Sequence, residues 1–214
     1  MTVTSGSYRS NYIERMFIEP LNRKEYKTHR TGWIEVICGS MFSGKTEELI
    51  RRLNRAKIAR QKVQIFKPVL DKRYHPENIV SHNDNYITSI PVTSSKEIIE
   101  LAGDCEVIGL DEVQFFDENI VDVCDQLANS GKRVIIAGLD MDYLGKPFSC
   151  MPQLMAIAEF VTKVHAICMV CGEIASYSYR LSPSHEKVLL GETDLYEARC
   201  RRCFNLGEKV KHRE

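Results

Sequence analysis

Short apolar runs alternate with amphipathic stretches along most of this 214-residue chain. Runs rich in β-branched residues predict strands at 33–38, 62–67, 106–110 and 133–139. Apolar residues recur at helical spacing within 47–60, 98–102, 120–128 and 154–161. This alternation predicts an α/β fold: a mostly parallel sheet flanked by helices, with ligands bound at the carboxyl ends of the strands.

Two regions lack such periodicity. Residues 1–32 are polar with scattered basic side chains, which favours a flexible extension over an arm that packs on a neighbouring subunit. Residues 71–86 make a long polar connection, and a loop of that length in a compact domain is usually functional or disordered.

The first predicted strand runs directly into a match to G-x-x-x-x-G-K-[ST], the phosphate-binding loop (P-loop). Its residues are Gly39, Ser40, Met41, Phe42, Ser43, Gly44, Lys45 and Thr46. The glycines let the backbone curl, so that successive N–H groups and the following helix N-terminus face a polyphosphate. Lys45 is expected to reach the β- and γ-phosphates, and the Thr46 hydroxyl to hold Mg²⁺. The motif therefore predicts binding of a nucleoside triphosphate, with ATP as the phosphate donor.

Two consecutive carboxylates, Asp111 and Glu112, close the third predicted strand. Asp111 is where a P-loop protein carries its second magnesium-site acid. Neighbouring side chains on a strand point to opposite faces, so the pair can share one task only if the strand has already ended. Glu112 could polarise a water, as in an ATPase, or accept a proton from a substrate hydroxyl, as in a small-molecule kinase. The aromatic residues Phe115 and Phe116 favour a flat, stacked substrate, although core packing would explain them equally well.

Four of the eight cysteines form two C-x-x-C pairs with 28 residues between the pairs. Cys168, Cys171, Cys200 and Cys203 can supply four thiolates to a closed, structural Zn²⁺ site. A redox pair is the alternative, but that needs one C-x-x-C opening a helix rather than two matched pairs. The remaining cysteines lie in or beside apolar segments and are interpreted as small buried hydrophobes.

The composition and charge of the chain argue against several classes of protein. Lysine plus arginine equals aspartate plus glutamate at 29 each, so no overall positive field indicates nucleic acid or an anionic membrane as a partner. No membrane-length apolar run or secretory apolar block is found, and we expect a cytoplasmic protein with reduced thiols. The predicted division is a flexible extension (1–32), a nucleotide-binding α/β domain (33–165), a zinc-binding domain (166–206) and a tail (207–214).

The segment between the two C-x-x-C pairs, held at both ends by zinc, could have either of two functions. It could be a clamp over an acceptor substrate, or a nucleic-acid-binding ribbon on an ATPase. Arg199, Arg201 and Arg202 could contact phosphates, but acidic residues at 192, 194 and 197 lie among them. Single-strand binding needs a basic face interleaved with aromatic residues, and that face is weak here. The clamp is favoured, with the nucleic-acid-dependent ATPase as the rival.

With these motifs placed, residues 34–204 resemble the type II thymidine kinases, the family of the human cytosolic enzyme and most bacterial ones. The resemblance is carried by the P-loop with Met-Phe-Ser inside it, by both C-x-x-C pairs, and by three short motifs: Asp111-Glu112-x-Gln114-Phe115-Phe116, Gly138-Leu139-Asp140 and Lys146-Pro147-Phe148. It implies transfer of the ATP γ-phosphoryl group to the 5′-hydroxyl of thymidine. It also implies a homotetramer that is feedback-inhibited by thymidine triphosphate.

The resemblance further implies roles for individual residues. Glu112 matches the catalytic base, and Arg73 matches an arginine that holds the acceptor end and the charge developing there. The zinc-held segment would act as a lasso that closes over thymine mainly through its backbone. The expected thymidine-binding residues are Met41, Phe115, Leu139, Tyr143, Ser178, Leu189, Leu190, Gly191 and Tyr196.

Departures from the family pattern fall in the expected nucleoside pocket. Ser178 stands where relatives commonly carry threonine, Tyr143 replaces a frequent phenylalanine, and Met141 and Asp142 occupy a turn that often holds small residues. We expect a looser fit around the thymine methyl group. No departure affects the P-loop, the zinc ligands or Glu112.

Overall fold

The computed structural model describes residues 31–69, 78–80, 86–182 and 195–211. The strands are β1 (Trp33–Cys38), β2 (Val63–Pro68), β3 (Asn78–Val80), β4 (Tyr86–Thr88), β5 (Ile90–Val92), β6 (Val107–Leu110), β7 (Arg133–Gly138), β8 (Phe160–Lys163), β9 (Ala166–Ile167), β10 (Ile174–Ala175), β11 (Tyr177–Arg180) and β12 (Tyr196–Arg199). The helices are α1 (Lys45–Ile58), α2 (Glu97–Leu101), α3 (Ile120–Asn129), α4 (Met151–Ile157) and α5 (Arg201–Lys211).

A six-stranded sheet in the order β5-β2-β6-β7-β1-β8 organises the fold. Every neighbouring pair in this sheet is parallel. The central strands β7 and β1 are bordered by β6 and β8, so the loops that follow these four strands emerge at one edge of the sheet. The predicted α/β fold with a mostly parallel sheet is confirmed.

The two faces of the sheet carry separate apolar clusters, because alternate residues of a strand point to opposite faces. On one face, Ile37 and Ile135 join Leu53 of α1 in a buried cluster. On the other, Val36 joins Leu127 of α3 in a larger cluster that also takes in α2 and α4. The sheet is therefore covered on both faces, as its nearly continuous apolar strands require.

Helix α4 ends earlier than the apolar spacing predicts. The prediction that Val161 lies on this helix face is wrong: Ala158 is already extended, and Val161 lies in β8 opposite Val36. The turn is fixed by Glu159, whose carboxylate accepts the Ile34 N–H at 2.6 Å. A side chain from the connection thus anchors the chain to β1 and makes the next four residues an edge strand.

A second short strand also escaped prediction. β5 has three residues, with Pro91 at its centre, and runs beside the end of β2. Pro68 was expected to stop β2, but it is the last residue of that strand and is aligned with Val92. Within the predicted long connection at 71–86, β3 and β4 pair as an antiparallel hairpin, and residues 70–77 and 81–85 lie outside the described residues.

The C-terminal part is built from two small antiparallel ladders, β9–β10 and β11–β12, with α5 beside them. Tyr177 stacks on Phe204 of α5 at 4.6 Å between ring centroids, and Tyr179 meets the same ring edge-on at 5.9 Å. A side chain at Gly207 would lie 2.1 Å from the Arg199 guanidinium, so glycine lets α5 pack closely on β12. Helix α5 continues through residues 207–211, which the sequence interpretation assigned to a tail.

A charged network is buried between β1, α1, β7 and β8, in the half of β1 away from the P-loop. Glu35 and Arg52 are fully buried, and Arg133 is nearly so. The Glu35 carboxylate accepts from Arg52 Nη1 at 2.8 Å, Arg133 Nε at 2.6 Å, Arg133 Nη2 at 3.2 Å and Trp33 Nε1 at 2.7 Å. Arg52 also donates to Thr162 Oγ1 at 2.9 Å. The four acceptor positions of one carboxylate are thus all used.

Within the described part of the chain, we find no helix with the length and apolar character needed to cross a membrane.

Candidate active site

The P-loop begins where β1 ends, between the ends of β7 and β8. Cys38 is aligned with Gly138 on one side and with Lys163 on the other. Val164 donates its N–H to the Cys38 carbonyl at 2.8 Å, and its own carbonyl oxygen would lie 2.2 Å from a Cβ at Gly39. The loop is therefore seated against the backbone that leaves β8, and only glycine fits at its first position.

Inside the loop, two side chains bond to one carbonyl. The Ser43 hydroxyl donates to the Ser40 oxygen at 2.7 Å, and Lys45 Nζ donates to the same oxygen at 2.8 Å. Gly44 has a φ of 81° and leads into the first turn of α1, whose initial N–H groups face the loop. The lysine, the loop backbone and the helix N-terminus are thus gathered at one place.

Lys45 lies among four carboxylates. Burial lowers the pKa of its ammonium group, whereas the charges of Glu112, Asp111, Asp140 and Glu47 oppose this shift. The sequence analysis predicted the first two carboxylates as site residues and missed Asp140. The signal for Asp140 was its place two residues after an apolar strand, the same offset that Ser40 has from β1.

Asp111 joins the end of β6 to the start of α1. Its Oδ2 lies 3.4 Å from Thr46 Oγ1, and the residue is 6% exposed. Burial, reinforced by the neighbouring Glu112 carboxylate, raises the pKa of Asp111 from 3.8 to about 7. A hydroxyl and a carboxylate oxygen are ligands that Mg²⁺ accepts, so the donor chemistry fits that ion.

Glu112 lies beyond the end of β6, in a left-handed backbone conformation with φ of 53° and ψ of 40°. The strand has therefore ended before the second carboxylate, which removes the alternation that would have separated it from Asp111. Asp111 Oδ1 accepts the Glu112 N–H at 3.0 Å. The condition under which both carboxylates can serve one site is met.

Gln114 contacts Glu112 directly, a role that the sequence analysis did not assign. Its Nε2 donates to Glu112 Oε2 at 2.5 Å, and its Oε1 accepts the Leu139 N–H at 2.9 Å. Gln114 belongs to the helical turn Val113–Phe115 and is buried. Its position two residues after Glu112 was visible in the sequence, but the partner at Leu139 was not.

Asp140 and Lys163 form an ion pair beside the P-loop. Lys163 Nζ lies 2.6 Å from Asp140 Oδ2, and the Asp140 side chain is 6% exposed. Asp140 Oδ1 and Ser40 Oγ are two of the three buried side-chain polar atoms without a hydrogen-bond partner in the described part of the chain. Two buried polar atoms near Lys45 are thus available to bond to a ligand.

The predicted nucleoside-pocket residues come together in two groups. Ser178 Oγ accepts the Met41 N–H at 3.0 Å, which joins β11 to the P-loop. Tyr143 lies under the Arg180 guanidinium at 3.5 Å from the ring centroid, and Tyr196 accepts hydrogen bonds from Arg180 at 2.7 and 3.1 Å. Arg180 thereby links two predicted pocket tyrosines, and it was not predicted.

Other predicted pocket residues belong to different contacts or cannot be placed. Phe115 packs edge-on against Phe148 with ring centroids 5.7 Å apart. Leu139 contributes the backbone N–H that is bound by Gln114. Predicted residues that lie outside the described part of the chain are Arg73, Leu189, Leu190 and Gly191.

The four predicted metal ligands converge. The Sγ atoms of Cys168, Cys171, Cys200 and Cys203 all lie within 4.8 Å of one another, with Cys171 and Cys200 at 3.7 Å. Tetrahedral Zn²⁺ with bonds of about 2.3 Å places its sulfurs roughly 3.8 Å apart, so the cluster fits zinc. Burial opposes thiolate formation at Cys168, but backbone N–H groups, including that of Cys200, lower its pKa to about 6.

Comparison with known proteins agrees with this arrangement. The sequence profile of the thymidine kinase family matches residues 32–204. The thymidine kinase of Rhodothermus sp. (strain ITI 518) is 62% identical over 173 residues, which cover 81% of each chain. That of Bacteroides thetaiotaomicron is 60% identical over 178 residues, or 83% of this chain and 89% of the relative. That of Porphyromonas gingivalis is 58% identical over 175 residues, or 82% and 86%. The chain belongs to the thymidine kinase family.

Proposed function

We propose that this protein transfers the γ-phosphoryl group of ATP to the 5′-hydroxyl of thymidine, giving thymidine monophosphate and ADP. The observation that carries the proposal is the convergence of Lys45, Asp111 and Glu112 where β1 and β6 end. A phosphate-binding cation, a metal-binding acid and a candidate base are thereby assembled at one edge of the sheet. Membership of the thymidine kinase family supplies the acceptor.

In this proposal the loop backbone and Lys45 hold the triphosphate. Thr46 and Asp111 would hold Mg²⁺, which when bound neutralises charge on the phosphate oxygens. Glu112 accepts the proton of the 5′-hydroxyl while that oxygen bonds to the γ-phosphorus, and the bond to the ADP oxygen breaks. Proton, phosphoryl group and leaving group are then all accounted for.

The nucleoside is proposed to lie between the P-loop and the C-terminal ladder β11–β12. The bond from Met41 to Ser178 supports this position, because it links the P-loop to β11. Tyr143 and Tyr196 support it as well, because both contact Arg180 of β11. Phe115 and Leu139 are proposed to complete the pocket. Arg73 at the acceptor end and the closing segment at Leu189, Leu190 and Gly191 stay predictions. Zinc held by the four cysteines would be structural, because four thiolates leave no coordination position open.

The rival function, a nucleic-acid-dependent ATPase, loses support from the arginines near the cysteine cluster. Arg199 bonds to Glu197 at 2.5 Å and lies over the Tyr179 ring at 3.4 Å. Arg201 lies 5.2 Å from the Tyr177 ring centroid. The Arg199 guanidinium is thus engaged within the C-terminal part, so fewer charges are available to nucleic acid phosphates.

Turnover of ATP with Mg²⁺ separates the two functions. Thymidine, deoxycytidine, single-stranded DNA or buffer is added, and the products are identified. Thymidine-dependent formation of the 5′-monophosphate with little background hydrolysis is expected. Turnover that ignores thymidine and increases with DNA would contradict the proposal in favour of the ATPase.

Replacing the candidate base tests the assignment of Glu112. Glu112→Gln is expected to retain ATP binding and to slow phosphoryl transfer by about 10²–10⁴-fold, the usual contribution of a positioned general base. The exposed Glu118 lies in the same region and gives the control, Glu118→Gln, with unchanged turnover. Near-normal transfer in Glu112→Gln would remove Glu112 from this role.

Replacing one of the four cysteines tests the zinc site. Cys171→Ser is expected to lower the bound zinc below one equivalent by elemental analysis and to weaken thymidine binding in calorimetry. Cys105→Ser changes a partly buried cysteine outside the cluster; it should keep its zinc and is the control. Absence of zinc from the parent protein, or normal thymidine binding by Cys171→Ser, would contradict the clamp account.

The family resemblance also leads us to propose a homotetramer inhibited by thymidine triphosphate. Light scattering at several protein concentrations measures the first property, and inhibition of turnover by thymidine triphosphate measures the second. A cytoplasmic location stays a prediction.

A further inference from the structure

We propose that Gln114 is a positioning residue whose side-chain amide holds the Glu112 carboxylate in place against the end of β7. The inference rests on the proposed role of Glu112 as the base. It goes further by assigning the group that fixes the base, and by linking that group to the predicted nucleoside pocket.

Glu112 needs an external partner to have a defined position. It follows the end of β6 in a left-handed backbone conformation, and its side chain is only partly buried. A glutamate side chain in such a place has several rotamers open to it, and fixing one of them costs conformational entropy. A base within reach of its substrate must nevertheless be held, since a misplacement of about 1 Å can cost 10²-fold in rate.

Gln114 supplies that partner from a rigid position. The residue is 2% exposed and lies in a helical turn closed by hydrogen bonds from Phe115 N to the Glu112 oxygen and from Phe116 N to the Val113 oxygen, each 3.0 Å. Its Nε2 donates to Glu112 Oε2 at 2.5 Å. The remaining carboxylate oxygen of Glu112 is not used in this contact and is the one proposed to accept the hydroxyl proton.

The amide orientation is determined by its second contact. Oε1 of Gln114 accepts the Leu139 N–H at 2.9 Å, so the oxygen faces β7 and the NH₂ group faces Glu112. A glutamate at 114 would place a carboxylate beside a carboxylate. A hydrocarbon side chain would leave both the Leu139 N–H and the Glu112 carboxylate without this partner. Only an amide of this length provides a donor at one end and an acceptor at the other.

The end of β7 leaves room for this amide. A Cβ at Gly138 would lie 2.9 Å from Gln114 Oε1 and 2.8 Å from Met151 Sδ. The backbone of Gly138 is not in the left-handed region, so packing against Met151 and the amide, rather than backbone conformation, is what requires glycine there. Leu139, the next residue, is a predicted wall of the nucleoside pocket. The same amide therefore holds the base and the pocket wall in a fixed relation.

A double-mutant cycle tests the proposal with the full-length protein. Gln114→Met keeps the side-chain length and removes both hydrogen bonds. It is expected to lower kcat about 10–100-fold with the KM for ATP changed by less than about threefold. In the Glu112→Gln background, the same substitution is expected to lower kcat by less than about twofold, because the group that it positions has lost its function. The control is Gln64→Met, which replaces an amide in β2 whose one hydrogen bond within the described part of the chain is to the Ile65 carbonyl. It is expected to leave kcat unchanged.

Two outcomes overturn the proposal: wild-type kcat in Gln114→Met, or an equal loss in both backgrounds, which would show a structural role independent of Glu112. Should Gln114→Met fail to fold, as judged by circular dichroism and ATP binding, Gln114→Glu enters the same cycle with the same expected pattern, because it keeps the acceptor for the Leu139 N–H and removes the donor to Glu112. Failure of the proposed function is distinguishable, because the parent protein would then form no thymidine monophosphate from ATP and thymidine. Failure of the assignment of Glu112 is also distinguishable, because Glu112→Gln alone would then retain normal transfer.

Discussion

Two buried polar clusters lie at the two ends of β1, and they differ in how completely their groups are paired. At the end away from the P-loop, Glu35 accepts four hydrogen bonds from Arg52, Arg133 and Trp33. At the loop end, Ser40 Oγ and Asp140 Oδ1 are buried without a partner in the described part of the chain. Each cluster contains a buried carboxylate paired with a cationic side chain.

The difference indicates what each cluster is for. A buried carboxylate with all of its acceptor positions filled by fixed donors holds elements together and has no capacity for a ligand. Buried polar atoms that lack partners cost free energy, and such cost is expected where a ligand's charges and hydrogen bonds complete the site. In the proposed function, those groups are the triphosphate and its metal ion.

Removing the central acid of the paired cluster is expected to have the largest effect on stability. Glu35→Ala leaves the Arg52 and Arg133 guanidinium groups buried without their shared carboxylate, which should lower the free energy of unfolding by about 3–5 kcal/mol. Chemical denaturation measures the change. Glu100→Ala, at an exposed residue of α2, serves as the control and should shift the value by less than about 0.5 kcal/mol. Similar stability of the two variants would contradict the contrast drawn between the clusters.

The loop end is expected to respond to pH through Asp111. Because its pKa is raised from 3.8 to about 7, the folded chain binds more protons at this group than the unfolded chain between those values. The stability that it contributes to the ligand-free protein therefore falls as pH rises through that window, by at most about 1.4 kcal/mol per pH unit. Above pH 7 Asp111 is ionised in both the folded and the unfolded protein, and the full free-energy cost of its buried charge is present.

Unfolding measured without nucleotide from pH 5.5 to 8 tests this sign. Asp111→Asn has no carboxylate to titrate, and its stability should depend less steeply on pH than that of the parent protein. Equal pH slopes for the two proteins would contradict the assignment of the cost to Asp111.

A pair of hydroxyl deletions gives the smallest and most direct comparison. Thr162→Val removes the acceptor of a hydrogen bond from Arg52 and should lower stability by about 1 kcal/mol. Ser40→Ala removes a buried hydroxyl without a partner among the described residues and should leave stability unchanged or slightly raised. Thermal unfolding of both variants measures the difference. A larger loss for Ser40→Ala than for Thr162→Val would reverse the interpretation of the two ends.

The sequence predicted the features that depend on local pattern. The strands β1, β2, β6 and β7 each contain enough apolar residues to be recognised alone, and the P-loop and the cysteine pairs have fixed spacings. The convergence of the four cysteines followed from chemistry, since four thiolates in two matched pairs have one common use.

The features that escaped prediction depend on contacts between distant residues. Val161 matched helical spacing, and only the bond from Ile34 N to Glu159 turns the chain into β8. Glu35 was one acidic residue in an apolar run, and its partners at positions 52 and 133 carry no local signal. Gln114 and Arg180 likewise have partners that the chain brings together only when the sheet and the ladders form.

The close contact between the P-loop and the backbone after β8 affects how a mutational survey of this protein should be interpreted. Any side chain at Gly39 would collide with the Val164 carbonyl, whereas a Cβ at Gly44 would meet nothing closer than Glu47 Oε2 at 3.8 Å. Intolerance at position 39 would therefore appear even in a screen that selects only for folded protein. Both glycines have a positive φ, 153° at Gly39 and 81° at Gly44, so intolerance at position 44 reflects backbone conformation alone. The two glycines of one motif would score alike although only one lacks space for a side chain, and neither score by itself would report on nucleotide binding.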